Sequence, residues 1–330
     1  MPRAISGAAL FAVVTTLALG AVAAGQAQPP PQVPALDLAI DRSTRLLVVS
    51  PHPDDGMLAA GGLMRRVIAH GGKVHVVWIT SGDGFPEGVE TSDHIARPTP
   101  DDYRRYGGLR EIEAQMALTS LGVDRRELSF LGFPDEGMCE LASTYLSAKA
   151  AAFTSPYTRR LSPPRTEQVI RGVTYRGFDV RRELERLLRT FRPTIVAFPH
   201  PHDAHPDHCS THIFMHEALD AVAASGGPAP RVLHYLIHYR EWPLSSDAGT
   251  GSALEPPASF PASEGRAASL ALTPAEAALK KNALLMFRSQ IAVIGRFVLA
   301  FARSNELFIE GEPAVLPACW CNGDNIIAVK

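Results

Sequence analysis

Short apolar runs that stop at proline or glycine, alternating with longer amphipathic stretches, leave this chain few folds to adopt. The runs are Arg45–Ser50 before Pro51, Lys73–Thr80 before Ser81-Gly82, Leu128–Gly132, Thr194–Phe198 before Pro199, and Val232–His238. Apolar on both faces, they suit strands buried within a parallel sheet. Between them, residues 57–69, 104–121 and 179–191 have helical spacing. Leu109, Ile112, Met116 and Leu121 are set to form one inward face, and Leu184, Leu187, Leu188 and Phe191 another, with Asp179 as cap and Pro193 as stop. Strand–helix alternation predicts an α/β domain around an open, mostly parallel sheet.

Two segments depart from that rhythm. Residues 139–178 and the Ser/Ala/Gly/Pro-rich residues 244–269 read as long irregular inserts. Order resumes at Thr273-Pro274-Ala275-Glu276, a capping box with proline in the first helical turn.

The N-terminus has a different character. Arg3, an apolar run from Ala8 to Leu19 and small residues up to Ala27 have the layout of a secretory signal peptide over residues 1–27. The run is shorter than the roughly 20 residues a membrane span needs, so no stable membrane insertion is expected after cleavage. Residues 28–43 open with Pro29-Pro30-Pro31 and read as a linker into a single domain over 44–330. A secreted or periplasmic protein is expected. Cys139, Cys209, Cys319 and Cys321 would then meet a compartment that permits disulfides, with three pairings open.

Composition removes several function classes. Lys+Arg is 32 against Asp+Glu 34, giving a formal net charge of −2 and no basic field for nucleic acid. No G-x-G-x-x-G follows the first strand, so a dinucleotide site is not expected. The unusual quantity is histidine: twelve in all, six of them between His200 and His216.

Two clusters carry the chemistry. Pro51-His52-Pro53-Asp54-Asp55 directly follows the first strand, and Pro199-His200-Pro201-His202-Asp203-Ala204-His205-Pro206-Asp207-His208 follows the fourth. In open α/β sheets, ligands bind beyond the strand carboxyl ends where strand order reverses, so adjacent first and fourth strands would merge both clusters in one crevice. Imidazole with carboxylate suits zinc or a similar divalent ion. His52, Asp55 and one histidine of the second cluster make a three-ligand set with an open position. Adjacent Asp54 and Asp55 should point apart, one to the ion and the other free to act as a base. His200 and His202 read as solvated loop residues rather than spare ligands. His212 and His216 read as packing or surface, and His70, His75, His94, His234 and His238 have no constellation around them. Arg159, Arg160, Arg165, Arg171 and Arg176 read as a solvated loop rather than an anion site.

His52-Pro53-Asp54-Asp55 followed by Gly61-Gly62, with Asp203-x-His205-Pro206-Asp207-His208 downstream, resembles the LmbE-like (PIG-L) zinc N-deacetylase family. Arg110-x-x-Glu113-Ala114, the segment Leu131 to Gly137, and Lys281 through Gln290 with Glu306-Leu307-Phe308 extend the resemblance over about residues 44–310. It implies a Rossmann-like sheet, with His52, Asp55 and His208 holding Zn2+ (Fe2+ being the alternative). Asp54 would be the general base, and His205 would stabilise the tetrahedral intermediate or donate a proton. Asp207 would orient a protonated His205, Arg110 would contact substrate, and Asp203 would support the ligands at the substrate-binding side. The implied substrate is an N-acetylated amino sugar or glycoconjugate of N-acetylglucosamine type. An amidase acting on a non-sugar or thiol-conjugate amide, and a non-catalytic metal- or sugar-binding protein, are the competing readings. One departure stands out: Gly56 occupies a position where the family usually has glutamate. Oligomeric state is not legible.

Overall fold

The computed structural model describes residues 33–244, 251–311, 319–321 and 325–327. The signal peptide expected over residues 1–27 lies outside the described residues. The chain runs β1 (Arg45–Ser50), α1 (Asp55–Ala69), β2 (Lys73–Thr80), α2 (Pro86–Asp93), α3 (Pro100–Ser120), β3 (Leu128–Phe133) and α4 (Met138–Leu141). It continues through α5 (Gly177–Phe191), β4 (Ile195–Pro199), α6 (Pro206–Ala224), β5 (Arg231–Tyr235), β6 (Arg266–Ala271), α7 (Pro274–Leu284), α8 (Arg288–Leu299), β7 (Asn305–Glu310), β8 (Cys319–Cys321) and β9 (Asn325–Ile327). One seven-stranded sheet has the order β3-β2-β1-β4-β5-β7-β6. Strands β1 to β5 are parallel, and β7 runs antiparallel to both β5 and β6. The order reverses between β1 and β4, which pair with Leu46 opposite Ile195 and Val48 opposite Ala197. That reversal opens the crevice in which such sheets bind ligands.

Both faces of the sheet are buried, which is why its strands are apolar throughout. Leu46, Val48, Val76 and Trp78 pack against α1, α3, α7 and α8 on one side. Leu47, Val49, Val77 and Ile79 face α5 and α6 on the other. Helix α1 is kinked at Ala60, where φ is −135°. A buried ion pair satisfies the backbone groups there: Lys280 Nζ donates to Leu58 O at 2.7 Å and pairs with Glu306 Oε1 at 2.7 Å, while Gly62 N and Leu63 N donate to the Glu306 carboxylate. The C-terminal elements thus brace the helix that begins at the site.

Several expectations need correction. Leu109, Ile112 and Met116 on α3 are 40%, 56% and 56% exposed. The face turned inward is instead Arg110, Glu113, Ala114, Ala117 and Leu118, whose short alanines let the helix lie close to the core. Asp179 does not cap α5; its carboxylate accepts from Thr174 N and Oγ1 and ties down the preceding turn. Within the expected linker, residues 34–36 dock on β6, with Leu36 N donating to Ser269 O at 2.8 Å and its side chain buried. The insert read over 244–269 already contains the start of β6, and Asn305 fixes Leu254 before it through Oδ1 and Nδ2. The Thr273–Glu276 capping box is present as expected. Cys209 and Cys319 form a disulfide across 110 residues.

Candidate metal centre and cleft

The turn after β1 is built by backbone locks. Ser50 Oγ donates to His52 O at 2.5 Å and accepts from Gly56 N at 2.8 Å. From the neighbouring strand, Trp78 Nε1 donates to Pro53 O, and Thr80 N and Oγ1 donate to Pro51 O. These bonds place His52, Asp54 and Asp55 at the mouth of the crevice. A Cβ at Gly56 would lie 3.1 Å from Val48 Cγ1 and 3.3 Å from Ser50 Oγ. The residue that departs from the family pattern therefore packs directly against β1.

His52 Nδ1, Asp55 Oδ2 and His208 Nε2 form a triangle with sides of 3.0, 3.0 and 3.2 Å. Donors about 2.0–2.2 Å from a tetrahedral zinc stand roughly 3.4 Å apart, so this set closes around a divalent ion with little adjustment. The remaining ring nitrogens are held from behind. His52 Nε2 lies 3.0 Å from Asp135 Oδ1 and 3.4 Å from Asp207 Oδ2, and His208 Nδ1 lies 3.2 Å from Asp203 Oδ2. Carboxylates in that position fix the tautomer and raise the basicity of a metal-binding imidazole. Burial disfavours the His208 cation, but Asp203 and Asp55 outweigh it and push the group up to about 9. Burial likewise opposes charge on Asp55, and His208 and His52 outweigh it, holding the carboxyl well below its usual range. Without an ion, the carboxylates keep the two imidazoles protonated; a bound cation supplies the same positive charge.

Asp54 and Asp55 diverge as expected. Asp54 Oδ1 accepts from Arg110 Nη2 at 2.8 Å, and Arg110 Nη1 donates to Gly82 O at 2.8 Å. Gly82 has φ of +63°, and a Cβ there would overlap the guanidinium, so both backbone and space require glycine. Arg110 lines the cleft, yet its observed partner is Asp54 rather than open space.

Several expected roles change. Asp203 is not a substrate contact: its side chain is fully buried and accepts from His205 N, Ile237 N and His238 N besides supporting His208. The Asp207 carboxylate does not orient His205; it accepts from Glu136 N and Met138 N and backs His52. His205 is oriented by the Asp207 backbone, whose N–H donates to His205 Nδ1 at 3.2 Å at the start of α6. Its Nε2 faces Glu136 Oε1 at 3.5 Å. Burial, then the neighbouring His52, His208 and His238, push His205 well below the usual histidine range, which favours its neutral form. His200 and His202 are not solvated loop residues: His200 Nε2 bonds Glu264 O and His202 Nε2 pairs with Glu264 Oε2.

Sequence reasoning left Asp135, Glu136 and His238 without roles. Asp135 follows β3 through Pro134, the same strand–proline–carboxylate pattern as the first cluster, and that was the available signal. Glu136 has φ of +58° and lines the cleft; its side chain is 41% exposed, yet partial desolvation and then Asp207 and Asp135 push its carboxyl up to about 7. The cleft holds about 550 Å³, and its walls include Phe85, Tyr157, Ile294, Phe297, Glu87 and Gln290. Two larger cavities, each about 620 Å³, contain no member of the ligand set. Arg165 and Arg171 of the first insert line one of them.

Fold and site together define an open α/β-sheet protein with a His/Asp metal-type centre at the strand-order reversal. The profile of the family described as PIG-L: GlcNAc-PI de-N-acetylase matches residues 47–219. The chain belongs to that family. It is 32% identical over 188 residues to the 1D-myo-inositol 2-acetamido-2-deoxy-alpha-D-glucopyranoside deacetylase of Rhodococcus opacus, covering 56% of each chain. The chain thus spans little more than half the length of that relative. With the protein of the same name from Mycolicibacterium vanbaalenii it is 28% identical over 295 residues, 82% of this chain and 89% of the relative. The crystal structure of the antimicrobial reagent A40926 pseudoaglycone deacetylase Dbv21 superposes with a TM-score of 0.51 at 19% identity, covering 82% of this chain and 97% of that one. That likeness concerns the fold.

Proposed function

We propose that this chain is an exported, zinc-dependent N-deacetylase that removes acetate from an N-acetylated amino sugar or glycoconjugate. The observation that carries this reading is the divergence of adjacent aspartates at the end of β1. Asp55 joins two histidines in a metal-type triangle, while Asp54 stands beside them on the cleft wall, oriented by Arg110. His52, Asp55 and His208 would hold the metal, whose Lewis acidity would lower the pKa of water towards ~7 and polarise the acyl carbonyl.

Asp54 is the assigned general base. With Oδ1 engaged by Arg110, Oδ2 takes the proton of the attacking water and returns it to the departing amine. His205, neutral and with Nδ1 occupied as an acceptor, carries its proton on Nε2 and donates to the developing oxyanion. Its place at the first turn of α6 adds the positive end of that helix to the same charge. Ring faces from Phe85, Tyr157 and Phe297 beside the polar Glu87 and Gln290 suit a sugar with one apolar face. The names of the curated relatives support an N-acetylglucosamine conjugate as substrate class. Export is supported by the layout of residues 1–27 and is compatible with the Cys209–Cys319 disulfide.

The test is acetate release from a panel of N-acetylglucosamine conjugates, non-sugar acetamides and thiol-conjugate amides. Release confined to the sugars supports the proposal. Turnover of the other amides alone overturns the substrate class, and no release from folded, zinc-loaded protein overturns the activity.

A further inference from the structure

One turn beyond His208 on α6, a second group of histidines packs against the sheet. His212 and His216 are four residues apart on the helix, and His234 comes from the facing strand β5. Their ring centroids lie 4.3 Å (His212–His216), 5.1 Å (His212–His234) and 5.8 Å (His216–His234) apart. One nitrogen from each lies within 4.8 Å of those of the other two. Phe198 of β4 closes the group on one side, with its ring 4.6 Å from that of His234. His212 and His234 are buried, and His216 is half-buried and gives the group its side towards solvent.

A second observation points to a ligand. His212 Nδ1 lies 3.1 Å from Pro199 O, a bond that puts the ring proton on Nδ1 and leaves Nε2 with a lone pair. That Nε2 is buried and makes no hydrogen bond among the described residues. A backbone carbonyl behind a histidine is the support that metal-binding imidazoles use, and it turns the bare nitrogen into a preset donor. Leaving such a nitrogen buried without a partner costs about 1–3 kcal/mol, a cost that coordination removes. His200 and His202 do not compete for the role, since Glu264 engages them both.

We propose that His212, His216 and His234 form a second metal site, separate from the catalytic triangle, that takes a borderline first-row divalent cation of the zinc class. Three imidazole donors favour zinc, copper or nickel over magnesium or calcium. Coordination joins α6 to β5. Because the first turn of α6 presents His205 and His208, the second ion fixes the helix that carries the catalytic histidines. The site stands on its own geometry and does not depend on which amide the protein hydrolyses.

The experiment is a Zn2+ titration of the metal-depleted full chain against a chromophoric chelator, with melting temperature followed in parallel. Wild type is expected to take two equivalents, the second raising Tm. His216→Ala, at the half-buried position, is expected to take one, and so is His208→Ala, each losing a different ion. An equivalent count that His216→Ala leaves unchanged, or a single wild-type equivalent that His208→Ala removes, overturns the proposal. Should His216→Ala fail to fold, the zinc anomalous difference map of wild-type crystals decides. A peak bonded by His212, His216 and His234 supports the site, and density without one overturns it.

Discussion

Arg110 and Asp54 form a buried ion pair, Nη2 to Oδ1 at 2.8 Å, immediately beside Asp55, the proposed metal ligand. Both side chains are nearly inaccessible, and Arg110 is anchored in turn by Gly82 O. The proposed base and the proposed ligand are therefore neighbours in sequence whose carboxylates are committed to different partners.

Replacing Arg110 by methionine leaves Asp54 buried without its counter-charge. Breaking such a pair costs roughly 3–5 kcal/mol of stability. Turnover is expected to fall by at least about 100-fold, the low end for disabling a general base, with metal content unchanged. Gly82→Ala should give a milder form of the same defect, because its Cβ displaces the guanidinium. Steady-state acetate release with metal analysis checks both, and loss of metal in either variant would contradict this division of labour.

Asp203, buried behind His208, is proposed to act through that residue rather than on substrate. Asp203→Asn is expected to weaken metal affinity about 10–100-fold, as removal of such supports does, while KM at saturating metal stays unchanged. A raised KM with unaltered metal affinity would restore the substrate-contact role.

The kink in α1 depends on Glu306, which accepts from Gly62 N and Leu63 N and neutralises Lys280. Glu306→Ala leaves a buried cation and two amides unpaired, and is expected to cost about 3–5 kcal/mol. Chemical denaturation measures it; a loss below about 1 kcal/mol would show that the kink has other support.

Glu183 is fully buried and accepts from Val169 N and Ile170 N, and burial pushes its carboxyl up to about 7. The folded state therefore holds a proton that the unfolded chain releases near pH 4.5. Stability from the protonated form is complete below that value and is lost as pH rises towards 7, by at most about 1.4 kcal/mol per pH unit. Glu183→Gln, which cannot ionise, should remove this part of the slope, so its Tm gains on wild type as pH rises from 5 to 7. Parallel Tm profiles would contradict the shifted carboxyl.

Much of this was legible in the sequence because the chemistry sits at strand ends. The runs 45–50 and 194–198 end in proline, and histidine and aspartate follow at once, so placing β1 beside β4 was enough to assemble His52, Asp55 and His208. Partnerships across the fold were not legible. Asp203 and Asp207 lie four residues apart, yet Asp203, in the turn before α6, backs His208, whereas Asp207, in the first turn of α6, backs His52. His205 lost its expected charge for the same reason: its neighbours in space are histidines, which no local pattern reveals. The inward face of α3 was misread because a helix can pack through alanines and leave its larger apolar residues outside. His234 carried no signal at all until β5 was laid against α6.

In the proposed mechanism one aspartate of the adjacent pair binds metal while the other does the proton work. Acetate release and zinc content, measured side by side on wild type, Asp54→Asn, Asp55→Asn and His208→Ala, separate the two roles. Asp54→Asn is expected to keep wild-type zinc and lose turnover by about 100- to 10,000-fold. Asp55→Asn and His208→Ala should lose both activity and one equivalent of zinc. Near-normal turnover by Asp54→Asn, or loss of its zinc, would overturn this division of roles.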